Sequence, residues 1–268
     1  MDMVVPGILA CLFYIASAGL QLAGIKREIP GKRRLVITLG TLAVLLHGYF
    51  SYHEIFTASG INMGLLPMAS LIALAIAALI LLSSLRRPVE NLAILLFPMA
   101  AICISLSLSL PDTYTPRAQV GHGIVIHIIL SVIAYGLLTI AAFQAVLLSF
   151  GDYELRHRKL GIMRHLPPLQ TMEGLLFELL WAGLIVLTMS IGTGFLFLKN
   201  STTAIPGLVH HMVITLAAWI VFAILLWGRY KLGWRGAIAS RWTLSGFALL
   251  ALGYFGSKLV LEVVLGRV

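Results

Sequence analysis

The sequence predicts an all-α integral membrane protein, a bundle of about eight transmembrane helices with both termini on the outer side. Three observations lead to that fold class. Of the 268 residues, 60% are hydrophobic and only 11% are charged, whereas a soluble domain carries about 25% charged residues. Mean hydropathy is +1.00. The apolar residues fall into runs long enough to cross a hydrocarbon core of ~30 Å, which takes roughly 20 residues of helix. About eight such runs fill the chain and leave no room for a soluble domain. A single transmembrane domain, 1–268, is therefore expected, with any chemistry in or just above the bilayer.

The runs follow in order. Met3–Gly24 is preceded only by Met1-Asp2, lacks the basic segment of a cleavable signal peptide, and is read as the first span. Leu35–Ile55 and Leu65–Leu85 come next. Leu92–Leu110 holds Pro98, which a membrane helix tolerates because its neighbours supply the missing contacts; a kink is expected there. His122–Phe150 is the fifth. Glu173–Leu198 follows a Pro167-Pro168 stop, with Glu173 and Glu178 placed to complement the dipole at its start. His210–Gly228 and Trp242–Leu265 complete the set. No internal repeat supports an inverted-repeat transporter. Cys11 and Cys103 lie inside apolar runs, form no Cys-x-x-Cys pair, and read as packing residues.

Loop charge sets the orientation. Alternate loops hold Lys26, Arg27, Lys32, Arg33, Arg34; Arg86, Arg87; Arg156, Arg158, Lys159, Arg164; and Arg229, Lys231, Arg235, Arg241, or 15 of the 19 basic residues. The positive-inside rule makes those loops cytoplasmic and puts both termini outside. Trp227, Trp234 and Trp242 flank one basic loop as an interfacial belt. The net charge of +9 is thus accounted for by topology, and no nucleic-acid partner is expected. The bilayer of a bacterial inner membrane is.

In this topology six of the eight histidines fall in the outer half. His47 and His53 end one helix, His122 and His127 begin another, and His210 with His211 opens a third. His53, His122 and His211 sit at helix ends, where an amphipathic ring can reach water. His47 lies roughly 10–12 Å and His127 roughly 8–10 Å inside the outer boundary, by helical rise. Polar rings at hydrocarbon depth usually face a cavity and mark a site. One or two imidazoles suffice for haem iron, and an apolar space between helices suits the macrocycle. Zinc needs three or four ligands, and the only carboxylate at this level on those helices is Glu54. Haem is the better fit, with Arg117, Lys199 and Lys258 as outer-side cations for its propionates. Lys258 and Glu262 can instead pair with each other, four residues apart. The small residues Ser190, Gly192, Thr193 and Gly194 read as close helix packing.

Several stretches resemble the cytochrome c assembly membrane proteins, the CcsA/HemX-like haem-handling family, and within it the short YpjD-type members. They are His127-Ile128-Ile129-Leu130-Ser131-Val132-Ile133-Ala134-Tyr135-Gly136, Leu166-Pro167-Pro168, Met172-Glu173 entering Leu180–Gly194, and Gly233-Trp234-Arg235-Gly236. The resemblance implies an external-side haem-ligand role for His127. Taken with the depth argument, it makes His127 and His210 the first candidates for axial ligands and His47 the third, with His211 and His122 beside them. The larger synthases carry a tryptophan-rich haem-presenting segment where this chain has Phe195–Val209 with no Trp. The histidine expected near the end of the next helix is replaced around Trp227, and none follows the last span. What the resemblance implies is haem binding, delivery or regulation of haem traffic, without haem attachment by this chain alone, which favours an accessory haem-handling role over an enzymatic one and leaves a redox role open. Cytochrome c assembly or haem-synthesis proteins are the implied partners. Two other readings stay open: a transporter of haem or a divalent metal, and an anchor or regulator that presents Gly151–Met172 to a cytoplasmic haem-synthesis enzyme. No Ser/His/Asp set, phosphate-binding glycine loop or intramembrane carboxylate pair suggests hydrolysis.

Overall fold

The computed structural model describes residues 3–26, 29, 31–85, 89–110, 114–116, 121–157, 167–200 and 208–260, with side chains for all of these except 25, 26, 197–200 and 208–210. Helices dominate because a backbone in hydrocarbon must satisfy its own N–H and C=O groups. They are α1 (Val4–Lys26), α2 (Lys32–Ile55), α3 (Leu65–Ser84), α4 (Ala93–Ser109), α5 (His122–Arg156), α6 (Leu169–Asn200), α7 (Leu208–Leu232) and α8 (Gly236–Ala251). Among the described residues the first seven are long and apolar enough to cross a membrane. α8 has 16 residues and continues without a break into a π-helical turn, Leu252–Gly256. The chain is a multi-pass membrane protein. Leu12, Leu45, Leu82 and Leu196 on its helices are at least 60% exposed, a surface matched to lipid rather than water.

Helices α1–α4 form one compact unit and α5–α8, with the π-helical turn, form another. In the first, α1 packs on α2 and α4, and α3 on α2 and α4. Gly40 lets α2 approach closely, since a Cβ there would lie 3.0 Å from both Leu81 Cδ2 and Phe97 Cε2. Small residues at crossings are how membrane helices gain van der Waals contact without a hydrophobic driving force. The basic-loop end of this unit is tied by Arg33, which pairs with Glu90 at 2.6 Å and donates to the Ser84 carbonyl. A two-residue hairpin, β1 (Phe56–Thr57) against β2 (Gly60–Ile61), joins α2 to α3; the hydropathy pattern did not foretell it. α4 runs on through Pro98.

In the second unit α5 lies along α6 and α8, and α7 along α6 and α8. Gly183 accepts Leu138 and Gly246 accepts Phe222, each at a distance that a Cβ would forbid. Trp219 Nε1 donates to Thr188 Oγ1 at 2.8 Å, joining α7 to α6. A sharp turn links α7 to α8 through Gly233 and Gly236, whose φ of 66° and 51° are left-handed, a region glycine enters at little cost. Trp234 and Trp242 stack across this turn with ring centroids 5.2 Å apart. α8 begins six residues before the Trp242 start expected from the apolar run, because the turn glycines rather than hydropathy set its boundary.

Glu173 does not open α6. The helix starts at Leu169 and has no acidic residue in its first turn, so the expected dipole role is corrected. Its carboxylate instead accepts Arg229 Nη1 at 2.8 Å and Arg235 Nε at 2.9 Å. Arg229 also lies over the Phe177 ring. Glu173 thereby clamps the α7–α8 turn onto α6.

Candidate functional site

The α5–α8 unit holds two imidazoles with the same kind of seat. His127 lies in the second turn of α5 and faces α6. Its Nδ1 is 3.0 Å from the Ser190 carbonyl and 3.1 Å from Thr193 Oγ1. A carbonyl only accepts, so Nδ1 carries the proton and the lone pair of the neutral ring lies on Nε2. Ser131, one turn along α5, bonds to the His127 carbonyl and to Ser190 Oγ. Gly194 completes the seat: a Cβ there would stand 3.2 Å from His127 Cε1. The stretch read from sequence as close packing is what receives this ring. Its signal was the spacing of Ser190, Thr193 and Gly194, which puts all three on one face of α6.

His211, in the first turns of α7, repeats the arrangement. Its Nδ1 donates to the Gly253 carbonyl at 2.9 Å, so its lone pair is also on Nε2. Gly253 lies in the π-helical turn, and its carbonyl accepts Ser257 Oγ as well. π-Helical turns offset carbonyls from the regular ladder and occur often at functional sites. The Tyr254 ring of the same turn lies 6.0 Å from the His211 ring and 5.5 Å from that of Tyr135. Tyr135 donates to the Leu250 carbonyl at 2.6 Å. Lys258 Nζ stands 5.8 Å from the centre of the Tyr254 ring.

This donor set fits haem chemistry. A metal-ligating histidine commonly has its other ring N–H held by a carbonyl, which fixes tautomer and orientation, and both rings have that partner. Thr215, one helical turn after His211 on α7, is buried with a hydroxyl that has no hydrogen-bond partner among the described residues. Its Oγ1 faces Gly253, 3.7 Å from where a Cβ would be. Among the described residues no three of His, Cys, Asp and Glu gather into a metal-ligating group.

The other expected residues are placed differently. His47, in the α1–α4 unit, is fully buried, with Nδ1 3.2 Å from Tyr14 Oη and Nε2 3.0 Å from Ser70 Oγ. Both ring nitrogens are engaged, so ligation would cost one of these bonds. His122 opens α5 and is exposed. His53 packs among Tyr49 and Tyr52. Glu54 accepts a hydrogen bond from Ser107 of α4. Arg117 and Glu262, and the side chains of Lys199 and His210, lie outside the described residues.

The profile of the family described as cytochrome C assembly protein matches residues 35–265. The chain belongs to that family. It is 30% identical over 264 residues to the inner membrane protein YpjD of Escherichia coli K12, covering 98% of this chain and all of that one. An uncharacterised 28.8 kDa protein of Azospirillum brasilense is 32% identical over 201 residues, 72% of this chain and 74% of its own. Protein HemX of Brevibacillus brevis is 23% identical over 161 residues, 58% of each chain. No solved structure matches. Family membership, the full-length inner-membrane relative and the seven spanning helices together make this a multi-pass inner-membrane protein of the cytochrome c assembly class.

Proposed function

We propose that this protein binds haem in its α5–α8 unit and handles it for cytochrome c assembly, and that His127 and His211 are the residues that would hold its iron. The observation that carries the reading is the paired anchoring of two Nδ1–H groups on main-chain carbonyls, Ser190 for His127 and Gly253 for His211. Each bond holds a ring in the tautomer that presents Nε2 to a metal. Haem held by two imidazoles supplies a one-electron iron couple. What the chain supplies is orientation and exclusion of water. Tyr135, Tyr254 and Phe255 form an aromatic wall, Thr215 brings a hydroxyl, and Lys258 is the described cation suited to a propionate. His210 and Arg117 stay candidates for the same site on sequence grounds, as third ligand source and propionate partner.

Handling rather than attachment is favoured because Phe195–Val209 carries no tryptophan. The family name and the HemX relative support haem as the cargo. The test is an absorbance spectrum of the detergent-purified protein, oxidised and reduced, before and after adding haemin. A Soret band that shifts on reduction is expected, and it should weaken or move in His127→Ala and in His211→Ala. Absence of any Soret band and of any haemin binding would overturn the proposal.

A further inference from the structure

At the basic-loop end of the α5–α8 unit an open groove of about 390 Å³ separates the last turns of α5 from the first turns of α6 and α8. Its walls are of two kinds. Leu169 and Ile238 are apolar, half-buried and 47% exposed respectively, while Leu148 is buried. Asp152, Arg156, Glu173 and Arg235 are charged and arranged in depth. Arg156 pairs with Asp152 at 3.1 Å, with side-chain exposures of 70% and 30%; Arg235 pairs with Glu173 at 2.9 Å, with exposures of 58% and 12%. Each carboxylate lies beneath its arginine. Both pairs are made through Nε, and the two arginine side chains, 70% and 58% exposed, keep further N–H donors for an oxygen pair. Arg229 adds a third positive charge on Glu173, so three arginines stand against two carboxylates. α8 also enters here from Arg235 with no side-chain cap, and an uncapped helix start adds partial positive charge.

We propose that this groove binds an anionic phospholipid, its phosphodiester on the guanidinium groups of Arg156 and Arg235 and an acyl chain along Leu169 and Ile238. Guanidinium matches a phosphate oxygen pair in geometry as well as charge. A free phosphate would meet the arginines but leave Leu169 and Ile238 facing water. A zwitterionic lipid would meet the apolar wall but bring its own cation to a cationic rim. An anionic lipid answers both, and the groove sits at the boundary where basic residues attract such headgroups. The inference stands apart from the haem reading, since none of these residues belongs to the histidine site.

The test uses the full chain, delipidated in neutral detergent and titrated separately with phosphatidylglycerol, phosphatidylcholine and inorganic phosphate. Native mass spectrometry reads retained lipid, and thermal melting reads stabilisation. Phosphatidylglycerol should be retained about tenfold more tightly than phosphatidylcholine and should raise the melting temperature, while inorganic phosphate at equal concentration does neither. Arg156→Gln, which leaves the Glu173 cluster whole, should weaken phosphatidylglycerol binding several-fold, and Arg156→Gln with Arg235→Gln should abolish its preference. Melting without lipid shows whether each variant is folded. Equal retention of the two lipids would mean annular contact only. Stabilisation by inorganic phosphate equal to that by lipid would mean a soluble-anion site. Undiminished binding in both variants would remove the groove from the explanation. Each of those three results overturns the proposal.

Discussion

His211 and Gly253 are joined by a 2.9 Å hydrogen bond in which the ring Nδ1–H donates to a carbonyl of the π-helical turn. The partner residues are 42 positions apart in sequence, and the same device recurs 63 positions apart between His127 and Ser190. Two rings on different helices are thus held from behind by main-chain acceptors, which side-chain substitution cannot easily remove. Room beside the rings and the helix geometry that places the carbonyls are the features open to test.

Gly194→Ala puts a methyl group 3.2 Å from His127 Cε1, so the ring or α6 must shift by a few tenths of an ångström. Displaced outer partners typically cost about 10–100-fold in metal affinity, and haemin affinity is expected to fall by about tenfold. Gly192→Ala, with open space at its Cβ position, should bind as wild type. Haemin titration followed at the Soret maximum decides, and equal affinity in both variants would show that His127 is not seated for ligation.

His47→Ala separates a structural histidine from a ligand. The substitution strips the Tyr14 hydroxyl and the Ser70 hydroxyl of a buried partner and opens a cavity beside Phe97, whose ring lies 5.2 Å from that of Tyr14. A loss of about 2–4 kcal/mol in unfolding free energy is expected, with an unchanged Soret band. A folded variant whose Soret band has vanished would restore His47 to the ligand set.

Glu173→Gln leaves Arg229 and Arg235 without their shared anion. The arginines are 29% and 58% exposed, and solvent screening holds the effect well below that of a buried pair, at about 1–2 kcal/mol. Thermal unfolding in detergent should drop accordingly, and proteolysis at the α7–α8 turn should quicken. No change in either would mean that Trp234 against Trp242 holds the turn unaided.

Tyr135→Phe deletes the donor to the Leu250 carbonyl, where α8 passes into the π-helical turn. An orphaned buried acceptor costs about 1–3 kcal/mol. Because Gly253 lies in that turn, His211 should also lose part of its fixed orientation. The expected outcome is lower stability together with a broadened Soret band. Lower stability with an unaltered band would show that the turn keeps Gly253 in place without Tyr135.

The spanning runs were legible in the amino-acid order, because each is local. Hydrocarbon rejects an unpaired backbone, so an apolar run of sufficient length becomes a helix whatever its neighbours are. Helix ends were less legible: α6 starts at Leu169, displacing Glu173 from the first turn, and α8 starts at the Gly233–Gly236 turn rather than at Trp242. The hairpin between α2 and α3 left no hydropathy signal. Ring orientation was not legible at all. That Ser190, Thr193 and Gly194 form a seat for His127, that His211 leans on Gly253, and that both nitrogens of His47 are engaged depend on acceptors and donors from other helices. Hydropathy reports how each residue partitions from water. Which nitrogen keeps its proton is decided by the atom that packing brings within 3 Å, and only the tertiary structure supplies that atom.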